Sequence, residues 1–341
     1  MRSAAACRSQ NEISESQSFV GNQDSILSDF IIFFNAICIT KCFFDLFFMN
    51  STKNMREILK AAVLCCSLIK SSIHELLSVT PSPEGQYQLR VLTYHDVPLS
   101  CRDMFRKQLI CIKKSWHFLT PDEFILIKLK KLALTKNSVL LTMDDGFFTN
   151  LLIAMSVLEE LNIKAIFFVV TTFIESKSSA HARKIIQKNI IPNQQYRYFM
   201  NTRPNMNPSD LRRLVAKGHE IGSHTLTHPF ISSLHSPLSV YSEIVNSKQC
   251  LFTILQKNIR FFAFPFGSYE SMSIPAVRLA LEHYNFVFTS LRGNNMPENS
   301  RLCFRETISL FDSHLVINSY LAGAADFIYR KQISSLLFSL N

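Results

Sequence analysis

From residue 88 onward, short apolar runs alternate with longer stretches of helical periodicity. Residues 88–93, 138–143, 165–170, 219–223, 260–264 and 286–289 have strand length, and most are rich in β-branched or aromatic side chains. Between them, residues 150–161 and 211–217 carry apolar positions at helical spacing. Pro121-Asp122-Glu123-Phe124 opens another helix with acidic residues in its first turn, and Asn207-Pro208-Ser209-Asp210 starts a further one that Gly218 stops. Strands separated by helices predict an α/β chain with a parallel sheet or barrel.

Each polar cluster sits just after a predicted strand. Tyr94-His95-Asp96, Asp144-Asp145-Gly146, His224 to His228, Pro265-Phe266-Gly267 and Arg292-Gly293-Asn294-Asn295 all follow apolar runs. In α/β barrels the carboxyl ends of the strands build the active site, so these clusters are expected to converge on one face. Glycine placement agrees. The chain has only eight glycines, and Gly146, Gly218, Gly222, Gly267 and Gly293 border the clusters, where tight turns or close backbone approach are needed.

The residue types name a chemistry. His224 and His228 are four apart, so one helical turn would put both rings on the same side. Asp145 would add a hard oxygen ligand. Three protein ligands leave positions open for water and substrate, as in catalytic zinc sites. A divalent cation there would acidify a water and polarise a carbonyl. Asp144, crowded out of the same coordination shell, is the natural general base. The Phe266 N–H, presented by the Pro265-Phe266-Gly267 turn, would help hold an oxyanion. Two histidines and one carboxylate also make the non-haem iron triad, although an adjacent second aspartate has no obvious use there.

Composition narrows the partners. The 341 residues are 47% apolar and 18% charged, ample for one large core. Formal net charge is +10, with many Lys and Arg between residues 102 and 136, and such a face could attract anionic polymers or lipid headgroups. No zinc-finger spacing or aromatic–basic interleaving argues for nucleic acid. Nine cysteines without a C-x-x-C pair make neither a disulfide framework nor a cysteine metal site. Residues 1–29 are polar and of disordered composition. Residues 30–49 are apolar but carry Lys41 and Asp45, a marginal membrane span. Met55-Arg56-Glu57 leading into apolar residues 58–69 resembles a secretory signal. The expected organisation is a disordered or membrane-associated extension (1–54), a signal-like segment and linker (55–87), and a catalytic domain (88–330). Export to the periplasm, cell envelope or exterior follows from that reading.

Val91-Leu-Thr-Tyr-His-Asp-Val97, Leu141-Thr-Met-Asp-Asp-Gly146, His219-Glu-Ile-Gly-Ser-His-Thr-Leu-Thr-His228 and Phe262-Ala-Phe-Pro-Phe-Gly267, in that order, resemble the polysaccharide deacetylases. These are the NodB-homology, or carbohydrate esterase family 4, enzymes. The resemblance spans roughly residues 88–325 and looks closest to the branch acting on poly-N-acetylglucosamine of bacterial surfaces. It implies a distorted (β/α) barrel behind an N-terminal extension, and metal-dependent removal of N-acetyl groups from a polysaccharide. By position, Asp144 resembles the catalytic base, while Asp145, His224 and His228 resemble the ligands of a metal, usually zinc. Phe266 stands where a main-chain N–H holds the oxyanion.

Three departures stand out. Met143 replaces the usual Phe of the first aspartate motif. Ala263 stands where many members carry an arginine that orients the base. The late Leu-x-His motif that supplies the general acid is not evident, since Glu306 to Leu310 contains no histidine. His95, at the end of the first strand, is then the first candidate acid and His314 the second. A missing acid would instead leave a barrel that binds glycan without cleaving it. Residues 171–206 form a long excursion with His181, Arg183, Lys184, Tyr196, Tyr198, Phe199 and Arg203, side chains suited to sugar rings and anionic polymer; such an excursion is often functional.

Overall fold

A computed structural model describes residues 87–192, 203–296 and 300–340. The expected extension and signal-like segment, and Tyr196, Tyr198 and Phe199 of the excursion, lie outside the described residues.

Within the described residues the strands are β1 (Leu89–Tyr94), β2 (His117–Leu119), β3 (Ser138–Met143), β4 (Ala165–Val169), β5 (Glu220–Ser223), β6 (Phe261–Ala263), β7 (Phe286–Phe288), β8 (Leu302–Cys303) and β9 (Glu306–Thr307). All pair in parallel, in the order β8-β7-β6-β5-β4-β3-β1-β9, with β2 alongside β3. β3 shares one edge between two neighbours: residues Ser138–Leu140 pair with β2, and Leu141–Met143 pair with β4. The two ends of the sheet, β8 and β9, are only two residues apart in sequence. The sheet therefore curls on itself, and Phe304-Arg305 carries the chain across the seam, making the distorted barrel.

Alternation along the strands fills the interior. Leu89 and Val91, Ile166 and Phe168, Phe261 and Ala263, and Phe286 and Phe288 are two residues apart and share one buried cluster, as the strand period of two requires. Helix Pro121–Lys128 adds Phe124 and Ile127 to that cluster. Its start is a full capping box between Thr120 and Glu123, with Pro121 at the first helical position. Helix Pro208–Ala216 begins the same way at Asn207 and Asp210. Gly218, at φ 80°, follows it as the expected stop.

One sequence expectation is corrected here. The Arg292 to Asn295 cluster does not join the others: Asn294 Oδ1 accepts from Leu89 N at 3.0 Å, at the amino end of β1. Arg292 instead turns to Glu306, Thr307 and the Tyr320 ring. The excursion holds helix Ser179–Ile185, which continues through a π-helical turn, Ile186–Ile190. Helix Asp326–Leu340 is the last element of the described residues. Among the described residues no helix is long and apolar enough to cross a membrane.

Candidate active site

Register brings the first two motifs together. Tyr94 pairs with Met143, and Asp144 N donates to Tyr94 O at 2.9 Å, so His95 and Asp144 leave neighbouring strands side by side. Asp145 then takes a left-handed conformation (φ 75°), followed by Gly146 (φ 94°); aspartate tolerates this region better than most residues. A Cβ on Gly146 would lie 2.7 Å from Ile174 Cδ1, so any side chain there would displace the Ile174 tip, and the left-handed backbone itself favours glycine.

β5 delivers the histidines. Val169 pairs with Ser223, and His224 N donates to Val169 O at 3.0 Å. The His224 Nδ1 lies 2.8 Å from Ala263 O and the His228 Nδ1 lies 2.9 Å from Asn189 O. Each ring thus donates Nδ1–H to a main-chain carbonyl and keeps Nε2 for a ligand, the arrangement typical of metal-binding imidazoles. His224 Nε2 is 3.7 Å and His228 Nε2 3.5 Å from Asp145 Oδ1. Residues 224–228 are not helical, contrary to the spacing argument. Left-handed turns at Thr225 (φ 69°) and His228 (φ 64°) converge the rings instead.

One ligand atom from each of Asp145, His224 and His228 lies within 4.8 Å of the others, and all three residues are buried. Asp145 Oδ1 makes no hydrogen bond, which is costly for a buried carboxylate oxygen unless a cation meets it. Burial, with Asp144 and Asp96 nearby, pushes the Asp145 carboxyl well above the usual range. Burial lowers His224 to about 4 and, with His224 beside it, His228 to about 3. Neutral imidazoles facing a carboxylate that resists ionisation are the donor set a divalent cation stabilises. These residues fit a metal.

Asp144 has a different partner. Arg305 Nη1 donates to its Oδ1 at 2.8 Å, with both side chains almost fully buried. Burial raises the Asp144 carboxyl, but Arg305, His224 and His95 outweigh it and hold the group below the usual range. Arg305 is itself fixed by donation from Nε to Thr289 O at 2.9 Å. This arginine was not foreseen; it stands in the seam between β8 and β9, not at position 263. Its only sequence signal is a charge directly after the apolar run Leu302-Cys303-Phe304.

A cleft of about 460 Å³ opens over these groups, lined among others by His95, Asp96, Asp145, His228, Phe266 and Phe311. His95 reaches solvent through this cleft. Enclosure by its walls lowers the His95 pKa, against the pull of Asp144. Phe266 has φ 60°, and its ring stacks on Phe230 at 4.0 Å and meets His228 edge-on. Among the described residues its main-chain N–H makes no hydrogen bond. His314 starts helix His314–Leu321, is exposed, and does not line the cleft.

Residues 131–280 match the family model "Polysaccharide deacetylase". The chitooligosaccharide deacetylase of Bradyrhizobium sp. (strain ANU 289) is 28% identical over 117 residues, 33% of this chain and 38% of that protein. This chain spans less than half the length of the curated relatives it matches. The Streptococcus pyogenes deacetylase PplD, solved with acetate, aligns over 71% of this chain and 99% of its own, at TM-score 0.53 and 21% identity. IcaB from Ammonifex degensii aligns over 71% and 97%, at TM-score 0.51 and 22% identity. At such identities the two structures speak for the fold. Sequence match and barrel agree: residues 131–280 match the polysaccharide deacetylase family, and the barrel around them has the fold of such deacetylases.

Proposed function

We propose that this domain is a metal-dependent de-N-acetylase that acts on a poly-N-acetylglucosamine-like glycan outside the cytoplasm. The carrying observation is the convergence of Asp145, His224 and His228 beside an Asp144 that Arg305 keeps ionised. A divalent cation, with zinc the expected one, would polarise the acetyl carbonyl and acidify the attacking water. Asp144 takes one proton from that water as its oxygen bonds to the carbonyl carbon. The Phe266 N–H faces the developing oxyanion. His95, on the strand end beside Asp144, would relay the proton that Asp144 took up to the amine nitrogen as the carbon–nitrogen bond breaks, giving acetate and a free amine.

The glycan is supported by the resemblance of the four motifs to the poly-N-acetylglucosamine branch and by the names of the relatives. The open cleft with Phe230 and Phe311 exposed near its rim suits a polymer more than an enclosed monomer. Export and the domain boundaries rest on the signal-like sequence before residue 88. The test is acetate release from poly-N-acetylglucosamine, peptidoglycan, chitin oligomers and an O-acetylated sugar, before and after metal removal, with Asp144→Asn as control. Activity should need the metal, favour the first glycan, and fall roughly 100- to 10,000-fold in Asp144→Asn. Glycan pull-down without acetate release from any of them would favour the binding-only barrel.

A further inference from the structure

The loop joining the two histidines holds two residues in the left-handed region, and one of them, Thr225, is β-branched. Such a conformation costs about 1–3 kcal/mol and persists only where its surroundings over-determine it. Its polar main-chain groups show what does so. Thr225 O accepts from Thr171 N at 3.2 Å, and Leu226 O accepts from Thr172 N at 3.0 Å. Thr227 O accepts from Asn189 Nδ2 at 2.8 Å. His228 N donates to Thr225 Oγ1 at 3.0 Å. Two further amides, Leu226 N and Thr227 N, both donate to Glu243 Oε2 at 2.8 Å, and Thr227 Oγ1 donates to Glu243 Oε1 at 2.6 Å. Glu243 is only 8% exposed. Its whole carboxylate is committed to this loop.

Glu243 and Asn189 come from separate parts of the chain, yet both sit in π-helical turns, Ser242–Asn246 and Ile186–Ile190. A π turn inserts an extra residue and re-aims its side chains, and such turns often occur at functional sites. Asn189 grips the loop twice: its side chain holds Thr227 O, and its own carbonyl accepts from His228 Nδ1. The excursion thus reaches the metal-ligating loop through its last turn.

We propose that Glu243 and Asn189 are positioning residues that set the affinity and geometry of the metal site by clamping residues 225–228, without touching substrate. This inference rests on the metal-site reading above. Outer-shell partners of metal ligands typically carry 10- to 100-fold in metal affinity. Charge-assisted bonds to two amides and a hydroxyl belong at the strong end of such contacts. Glu243→Gln keeps the shape but removes the charge that strengthens the bonds to both amides, and its NH2 can meet Thr227 Oγ1 only if that hydroxyl turns from donor to acceptor. Asn189→Ala removes one side-chain bond from a half-buried helix position and leaves the carbonyl in place.

The test uses the full chain as wild type, Glu243→Gln and Asn189→Ala. Zinc affinity is measured by chelator competition, the ligand field by visible absorption of the cobalt form, and folding by melting of the metal-free proteins. Zinc should bind about 10- to 100-fold more weakly in Glu243→Gln and several-fold more weakly in Asn189→Ala. The cobalt bands should change in both, while metal-free Asn189→Ala melts with wild type. Wild-type zinc affinity and cobalt bands in Asn189→Ala and in any folded Glu243→Gln would overturn the inference while leaving the metal site intact. A wild-type chain that takes up neither ion would overturn both together.

Discussion

Arg305 and Asp144 form a buried pair at 2.8 Å, and removing one member of such a pair typically costs about 3–5 kcal/mol because the other charge is left uncompensated. Arg305→Met should therefore lower the unfolding free energy by about that amount. It should also cut turnover about 10- to 100-fold, since Asp144, the proposed base, loses the contact that orients it. Arg305→Lys keeps a charge but forfeits the fork that also holds Thr289 O, so it should recover stability better than turnover. Urea unfolding and acetate release measure the two effects, and equal recovery of both would leave Arg305 a purely structural ion. His95→Ala should lower turnover strongly and leave metal content unchanged, because His95 lines the cleft and is not among the three clustered ligands. Wild-type acetate release from that variant would remove His95 from the mechanism. At this scale the sequence was partly readable. Asp144, Asp145, His224 and His228 announce themselves because each pair is local in the chain and follows a strand. Arg305 does not, because its reach to Asp144 depends on how the barrel closes, 161 residues away.

Among the elements, those read most cleanly are the ones whose local signals all agree. Strand β3 falls on residues 138–143 as its apolar run predicts, and helix Pro208–Ala216 carries cap, box and stop in its own sequence. Strands β2, β8 and β9, of two or three residues, are too short for a period to show and exist only because a neighbour pairs with them. The left-handed loop at 224–228 was misread as a helical turn because both geometries bring residues four apart together. One glycine tests how tightly an element end is built. Gly267 has φ 60°, and a Cβ on it would lie 2.5 Å from Ser290 N, whose amide donates to Gly267 O. Gly267→Ala should destabilise the domain by about 1–3 kcal/mol, through overpacking against backbone that cannot move aside. It should also displace Phe266 and so reduce acetate release beyond the loss of folded protein. A variant as stable and active as wild type would show that the β6–β7 crossing has slack.

For the molecule as a whole, the proposed metal site and the stability of the barrel are one problem. Asp96, Asp144 and Asp145 bring three carboxylates to one strand-end cluster, and burial together with Asp144 and Asp96 makes Asp145 hard to ionise. Arg305 answers Asp144, but His224 and His228 are held neutral by burial and offer Asp145 no charge. A cation bound only by the folded chain adds stability by mass action, about 4 kcal/mol when its free concentration is a thousand times its dissociation constant. For a domain of this size each kcal/mol moves the melting temperature by about 2–4 °C, so stripping the metal should lower it by about 8–16 °C. Zinc should restore the loss. His228→Ala should melt near the stripped wild type and respond little to chelator, since two ligands hold the ion far less tightly than three. The comparison separates the cation from any general effect of the chelator on the fold. A wild-type melting temperature indifferent to both chelator and zinc would mean that Asp145 and the two imidazoles stabilise one another without an ion, and the hydrolytic reading would lose its support.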